Sequence, residues 1–208
     1  MMAVVLAALA AVIFRWRVNG WASLVWVATA VVMSLIRAPY AKRTQSNVIA
    51  EKRAVVVERI LLALVAIGGT FLPLVHLATG LLSDYDYRLP DWAAIGGAIV
   101  LAPSFWLFWR SHADLGRNWS VTTELREGQE LVTRGVYRRI RHPMYTAIWL
   151  IFLMQPLFVQ NLIAGPAGVV AFALMYVIRV PYEEKMMRAQ FGDAYDAYCD
   201  RTGRLWPK

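Results

Sequence analysis

Two short clusters of polar side chains flank the last long apolar stretch of this sequence. The first contains Arg141, His142 and Pro143, and the second contains Glu183 and Glu184. Arginine and imidazole groups suit an anionic ligand, and Pro143 fixes the backbone where a helix would begin. Adjacent carboxylates at the edge of a membrane are electrostatically costly, which indicates a function for them. We therefore expect a polar site at a membrane surface.

The stretch between the two clusters predicts how they come together. Residues 144–180 are apolar but are interrupted by Gln155-Pro156, Gln160-Asn161 and Gly165-Pro166. This length exceeds the roughly 20 residues of one membrane span, so it predicts a helical hairpin that enters and leaves on the same side. The clusters would then face each other across a pocket. S-adenosylmethionine has the carboxylate, ammonium, hydroxyl and sulfonium groups that such a pocket suits.

The elements that must position this pocket are membrane helices. The chain has 208 residues, of which 59% are hydrophobic. Four charge-free apolar runs precede the hairpin, at residues 2–14, 21–36, 60–82 and 92–109. We predict an all-α, multi-span integral membrane protein of one domain, in which residues 1–109 form four transmembrane helices. Residues 110–208 would form the cofactor-binding catalytic region with the hairpin 144–180.

The distribution of basic residues predicts the orientation in the membrane. Nineteen of the 22 Lys and Arg residues lie in residues 37–59, 110–141 and 179–208. Because cytoplasmic loops retain positive charge, the N-terminus and the catalytic C-terminal region are expected to face the cytosol. Topology and anionic lipid headgroups explain the net charge of +8, so nucleic acid is not an expected partner.

Three further features lead to predictions outside the two clusters. Tyr182, Met187 and Tyr195 belong to a stripe that predicts an amphipathic tail helix packed on the membrane or on residues 110–143. The single cysteine, Cys199, excludes an internal disulfide and a CxxC metal site, and no metal is expected. His76 lies near the outer end of its span, where we expect an interfacial structural role.

Beyond these local features, the C-terminal half resembles the isoprenylcysteine carboxyl methyltransferase family and its phospholipid methyltransferase relatives. The resemblance covers about residues 105–208. It is carried by Gln129-Glu130-Leu131-Val132-Thr133-Arg134-Gly135-Val136-Tyr137, Arg141-His142-Pro143-Met144-Tyr145, Arg179 to Glu184, Phe191-Gly192, Tyr195, Tyr198 and Pro207. These motifs are specific in combination because they occur in one order and spacing.

The resemblance implies an S-adenosylmethionine-dependent methyltransferase whose cofactor lies at these motifs. It assigns Leu131, Val132, Gly135 and Tyr137 to the adenosyl side, Arg141, His142, Pro143 and Tyr145 to the methionyl end, and Glu183 and Glu184 to polar cofactor groups. Gln129 stands where relatives often have His, and it can still hydrogen-bond an adenine or ribose edge. Ala147 stands where many relatives have Gly.

The chemistry of the methyl acceptor stays open at this level. A carboxylate acceptor requires only orientation, for which Arg179 is the candidate, whereas an amine or thiol acceptor would use Glu183 or Glu184 as a base after an upward pKa shift. The acceptor is expected to be lipophilic or delivered from the membrane, as a small molecule, a lipid or a prenylated chain. Alternative functions are an NADPH-dependent lipid or sterol reductase and a non-catalytic membrane protein that keeps the pocket. The sequence does not determine the oligomeric state.

Overall fold

The structure is a computed structural model that describes residues 2–44, 49–52, 55–119, 124–126 and 130–208. Most of these residues are helical. The helices are α1 (Met2–Phe14), α2 (Trp16–Asn19), α3 (Ala22–Thr44), α4 (Val55–Ala66), α5 (Leu72–Thr79), α6 (Asp91–Leu115), α7 (Pro143–Phe158), α8 (Ala167–Phe191) and α9 (Asp193–Arg201). One turn of π-helix, Ile67–Phe71, joins α4 to α5.

A short antiparallel strand pair departs from the all-α prediction. Strand β1 (Ile49–Lys52) pairs with β2 (Glu124–Arg126). Both strands lie in polar connections between apolar helices, where periodicity gives no strand signal. Their pairing satisfies backbone N–H and C=O groups that would otherwise depend on water.

The prediction of several membrane-spanning helices is confirmed, although not at full length for every run. Within the described residues, three helical segments are long and apolar enough to cross a bilayer: Ala22–Ala41, Val56–Thr79 and Asp91–Leu115. The first apolar run forms α1, which has 13 residues and is therefore only about 20 Å long. A bilayer core is about 30 Å thick, so α1 has the predicted bounds but is shorter than a complete span.

Helices α7 and α8 pack against each other in opposite directions. The rings of Trp149 and Tyr176 lie 5.8 Å apart, and those of Phe152 and Phe172 lie 5.6 Å apart. The chain reverses at residues 159–166, where the Asn161 side chain accepts hydrogen bonds from the backbone of residues 163 and 164. The two polar clusters that flank this hairpin therefore lie at its open end.

The tail differs from the separate amphipathic helix predicted from Tyr182 onward. Helix α8 continues through Pro181 to Phe191, so both glutamates lie inside one long helix. It ends at Gly192, whose φ of 53° lies in the left-handed region that glycine adopts at little cost. Because α9 starts at this break, the predicted stripe is divided between two helices.

A second polar cluster lies at the other end of the hairpin. His76 is buried, and its Nε2 lies 3.1 Å from Asp86 Oδ1. The Asn161 side chain donates to the same carboxylate oxygen and to the carbonyl of Leu82. These contacts give His76 a structural position near the hairpin turn, as its place in the sequence predicts.

Candidate active site

A cavity of about 470 Å³ lies between the helices, with polar residues at the open end of the hairpin and apolar residues deeper in the bundle. The charged and tyrosine side chains of its polar end are Arg37, Glu130, Tyr137, Arg141, His142, Tyr145, Arg179, Glu183, Tyr195 and Tyr198. The apolar lining includes Trp26, Met33, Leu62, Val65, Ile151, Phe152, Phe158, Phe172 and Met175. The volume and this mixed lining are typical of a site for a small organic ligand.

Most of the sequence-predicted site residues meet at this cavity. Leu131, Val132, Tyr137, Arg141, His142, Tyr145, Arg179 and Glu183 line it. Gly135, Pro143 and Glu184 lie next to lining residues without lining the cavity themselves. Gln129 lies outside the described residues. Residues from α3 and α4 also line the cavity, although the first half of the sequence carries no recognisable site motif.

Glu183 and Arg179 form the charged wall that α8 contributes. The Nε of Arg179 donates to Glu183 Oε1 at 2.7 Å, so the two side chains form an i,i+4 ion pair on α8. The hydroxyl of Tyr145 donates to the same oxygen at 2.8 Å. Nη1 of Arg179 also lies 3.3 Å from Glu58 Oε1, which places a residue of α4 in the same network. Sequence reasoning missed Glu58, because it lies in a basic connection between two apolar runs, far from the polar clusters.

Glu184 is held by three basic side chains. Arg204 contacts both carboxylate oxygens, at 3.1 and 2.6 Å, while His142 Nε2 and Arg141 Nε lie 3.3 and 3.4 Å from Oε1. Burial alone would raise the pKa of Glu184, but hydrogen bonds from His142 and Arg204 outweigh burial and lower the pKa to about 2. The upward shift that we expected of a catalytic base is therefore wrong for Glu184.

Arg141 links the start of the hairpin to the C-terminal segment. Its Nη1 donates to the carbonyls of Cys199 and Thr202. Its backbone N–H donates to Gly203 at 2.8 Å, and that of His142 donates to Arg204 at 3.0 Å. These bonds fix the orientation of His142 at the cavity. Sequence reasoning missed the role of residues 202–204, because Arg141 and His142, which they contact, lie about 60 positions earlier in the chain.

Gly135 and Tyr137 shape the loop beside the cavity. Gly135 has a φ of 59°, and a Cβ on it would lie 2.0 Å from Asp114 Oδ2, so no side chain fits there. The carboxylate of Asp114 accepts a hydrogen bond from the N–H of Val136. Tyr137 is buried, which raises the pKa of its phenol, and its carbonyl accepts a hydrogen bond from Tyr198 at 2.7 Å. Gly135 therefore positions the loop.

An aromatic cluster on α6 and the segment after it forms another wall that sequence reasoning missed. His112 is fully buried, and its ring lies 4.6 Å from Phe108 and 4.8 Å from Trp119. The guanidinium carbon of Arg37 lies 5.6 Å from the Trp119 ring centre. Phe108, Trp119 and Arg37 all line the cavity. The cluster therefore connects α3 to the polar end of the site.

Fold and site together define a multi-span helical membrane protein with a polar pocket that opens into an apolar cavity. Residues 92–194 match the family model described as phospholipid methyltransferase. The resemblance to the isoprenylcysteine carboxyl methyltransferase and phospholipid methyltransferase family that the motifs predicted is therefore confirmed over this part of the chain.

Two plant proteins illustrate the sequence similarity. The chain is 34% identical over 93 residues to protein-S-isoprenylcysteine O-methyltransferase B of Arabidopsis thaliana. This alignment covers 42% of this chain and 45% of that protein. It is 33% identical over 86 residues to a probable protein-S-isoprenylcysteine O-methyltransferase of Oryza sativa subsp. indica. This second alignment covers 39% of this chain and 43% of that protein. The chain thus matches less than half the length of these relatives.

The fold is also similar to a solved structure. The eukaryotic intramembrane Ras methyltransferase ICMT (isoprenylcysteine carboxyl methyltransferase) superposes with a TM-score of 0.55 at 20% sequence identity. The similarity covers 95% of this chain and 72% of that one. At this identity the match shows a shared fold, and it includes the N-terminal helices that the family model does not cover.

Proposed function

We propose that this protein transfers a methyl group from S-adenosylmethionine to a lipophilic acceptor inside the cavity. The observation that carries the proposal is a single cavity that joins a polar end, built from the family motifs, to an apolar interior. Relatives in the family are named as methyltransferases of isoprenylcysteine. A methyltransferase needs a site where a polar cofactor and an apolar acceptor meet, and this cavity provides both environments.

The side chains of the polar end fit S-adenosylmethionine. Tyr145 and Tyr195 present aromatic rings to the cavity, and aromatic faces attract a cationic sulfonium. The Glu183 carboxylate can accept hydrogen bonds from an ammonium or from ribose hydroxyls, while His142 can donate one to a carboxylate. Leu131 and Val132 supply apolar contact for an adenine ring. We assign these residues to cofactor binding, with Gln129 as a further candidate.

The main catalytic contribution of the protein is to position the reactants and exclude water. Bound S-adenosylmethionine supplies a methyl carbon that its sulfonium already activates. Arg179 orients the acceptor, because Glu58 and Glu183 hold its guanidinium in place at the cavity wall. Glu183 accepts a proton where the acceptor is an amine or a thiol. Such alignment supplies much of the rate in displacement reactions.

The acceptor is a lipophilic molecule that enters from the bilayer. The deeper lining is formed by Trp26, Ile151, Phe158 and their apolar neighbours, which give a polar molecule few hydrogen-bond partners. A lipid or prenyl chain would remain in an apolar environment on entering from the membrane. Its reactive head would then lie beside Arg179 and Glu183.

The polar end of the cavity faces the cytosol in this proposal. Arg141, Arg179 and Arg204 all lie at this end, in the segments that hold most of the basic residues. A cytosolic cofactor would then reach the site without crossing the membrane. The N-terminus lies on the same side.

Calorimetric titration of the detergent-purified protein with S-adenosylhomocysteine tests this proposal. We expect micromolar binding by the wild type and at least a tenfold loss of affinity in His142→Ala and Glu183→Ala, because each removes a polar contact to the ligand. Arg139→Gln is the matched control, since the exposed Arg139 side chain lies close in sequence but outside the cavity. A folded wild type without binding would exclude the methyltransferase function.

A further inference from the structure

Three arginines line the polar end of the cavity, and two of them already have anionic or carbonyl partners within the protein. Arg179 lies 2.7 Å from Glu183 and 3.3 Å from Glu58. Arg141 contacts Glu184 and the carbonyls of Cys199 and Thr202. The positive charges of both guanidinium groups are therefore already balanced by partners within the protein.

Arg37, the third arginine, has no such partner among the residues that the structure describes. No carboxylate within the described ranges lies within ion-pair distance of its guanidinium, which packs against the Trp119 ring at 5.6 Å. Arg179 is close enough for the two positive charges to repel each other. A partly buried cation in an apolar setting is costly unless an anion neutralises it. Within the described part of the chain, the positive charge of Arg37 at the cavity therefore has no ion-pair partner.

The position of Arg37 on α3 indicates what kind of anion it would meet. Met33 and Ala30 lie one and two turns deeper on the same helix, and both line the cavity. Trp26 continues this wall to the apolar interior. An amphiphile with its tail along this wall would place its head at Arg37, between the indole of Trp119 and the Arg179 network.

We infer that Arg37 binds the anionic group of the cavity's ligand and makes the site selective for a carboxylate. This inference rests on the proposed function and deepens it. The carboxylate can belong to the acceptor or to the methionyl end of the cofactor, and both present the same group to a guanidinium. Arg37 lies in the half of the chain that precedes the family match at residues 92–194, so the motifs do not assign it a role.

The test compares a carboxylate ligand with its neutral analogue. Binding of N-acetyl-S-farnesylcysteine and of its carboxamide is measured by calorimetry in the wild type, Arg37→Gln and Arg37→Lys, together with S-adenosylhomocysteine. If the acceptor supplies the carboxylate, the wild type prefers the acid by about tenfold or more, Arg37→Gln loses this preference, and Arg37→Lys keeps part of it. Arg59→Gln removes an exposed arginine from the neighbouring helix α4 and should change neither the acid preference nor the affinity for S-adenosylhomocysteine.

The acid and carboxamide pair tests the acceptor as the source of the anion, and S-adenosylhomocysteine tests the cofactor. If the cofactor supplies the carboxylate, Arg37→Gln loses about tenfold in affinity for S-adenosylhomocysteine instead, and Arg37→Lys, as the charge-conserving variant, keeps most of it. Unchanged acid preference and unchanged S-adenosylhomocysteine affinity in a folded Arg37→Gln protein would overturn the inference. A wild type that fails to bind S-adenosylhomocysteine but shows Arg37-dependent acid preference would refute the proposed function and leave this inference standing.

Discussion

Glu184 shows how one buried residue can hold the polar end of the cavity together. Its carboxylate binds Arg204, His142 and Arg141, which come from two other segments of the chain. Removing one partner of a buried ion pair leaves the others uncompensated and costs about 3–5 kcal/mol. We expect Glu184→Gln to lower the apparent melting temperature by about 6–20 °C. Thermal unfolding in detergent measures this, with the exposed Asp200→Asn as a control that should melt like the wild type.

The same carboxylate predicts a defined pH dependence. Its pKa in the folded protein is about 2, below the ordinary value of 4.5, so folding favours the ionised form. The stabilisation is therefore complete above the unfolded pKa and is lost as the pH falls from about 4.5 toward 2. The difference in melting temperature between wild type and Glu184→Gln should be constant from about pH 6 to 8 and should shrink below about pH 4.5. A difference that grows on acidification would contradict the ion-pair assignment.

Residues within the motifs could be predicted, and their distant partners could not. His142, Arg179 and Glu183 were found because unusual polar types stand next to apolar runs, and all three line the cavity. Glu58 and Arg204 contact these motifs from α4 and from the end of the chain. Such contacts depend on which faces of the helices pack together, and the local pattern of a single sequence does not indicate this.

At the scale of elements, the site depends on close packing between the α4–α5 segment and α8. Gly68 lies in the π-helical turn, where a Cβ would be 2.5 Å from the carbonyl oxygen of Ala167. The Gln155 side chain also donates to the Gly68 carbonyl at 3.2 Å and to carbonyls in the hairpin turn. These contacts fix α4, and with it Glu58, against α8.

A larger residue at this contact should separate the two helices. We expect Gly68→Ala to lower stability by about 1–3 kcal/mol, because the clash is with backbone that cannot rotate away. It should also weaken S-adenosylhomocysteine binding, since Glu58 would move away from Arg179. Gly96→Ala is the matched control: a Cβ on Gly96 meets nothing within 4 Å, and alanine favours a helix. Heating in detergent followed by gel filtration compares the folded fractions, and equal losses in both variants would argue against this contact.

Apolar runs predicted the positions of the helices better than where they end. The runs at 21–36, 60–82 and 92–109 all lie mainly within helices, because a bilayer requires every backbone group to be satisfied internally. The continuation of α8 through Pro181 was missed because proline usually ends a helix. The strands β1 and β2 were missed because short polar segments have no clear periodicity.

At the scale of the whole molecule, both halves of the chain contribute residues to the cavity. The family motifs in the second half supply His142, Arg179 and Glu183, whereas α3 and α4 supply Arg37 and the apolar wall at Leu62. The N-terminal helices are therefore part of the site as well as of the membrane anchor. In the proposed function, these helices would contribute to the choice of acceptor, while the motifs of the second half would bind the cofactor.

The native chain has one cysteine, which makes its orientation in the membrane directly testable. Two single-cysteine variants are made in a Cys199→Ser background. Leu81→Cys lies beside the His76 cluster, at a position that is 71% exposed. Lys208→Cys lies at an exposed position near the polar end of the cavity. We expect a membrane-impermeant maleimide to label Leu81→Cys in intact cells and Lys208→Cys only after permeabilisation. The Cys199→Ser protein without an added cysteine controls for background. Labelling of Lys208→Cys in intact cells would place the polar end outside, where cytosolic S-adenosylmethionine could not reach it.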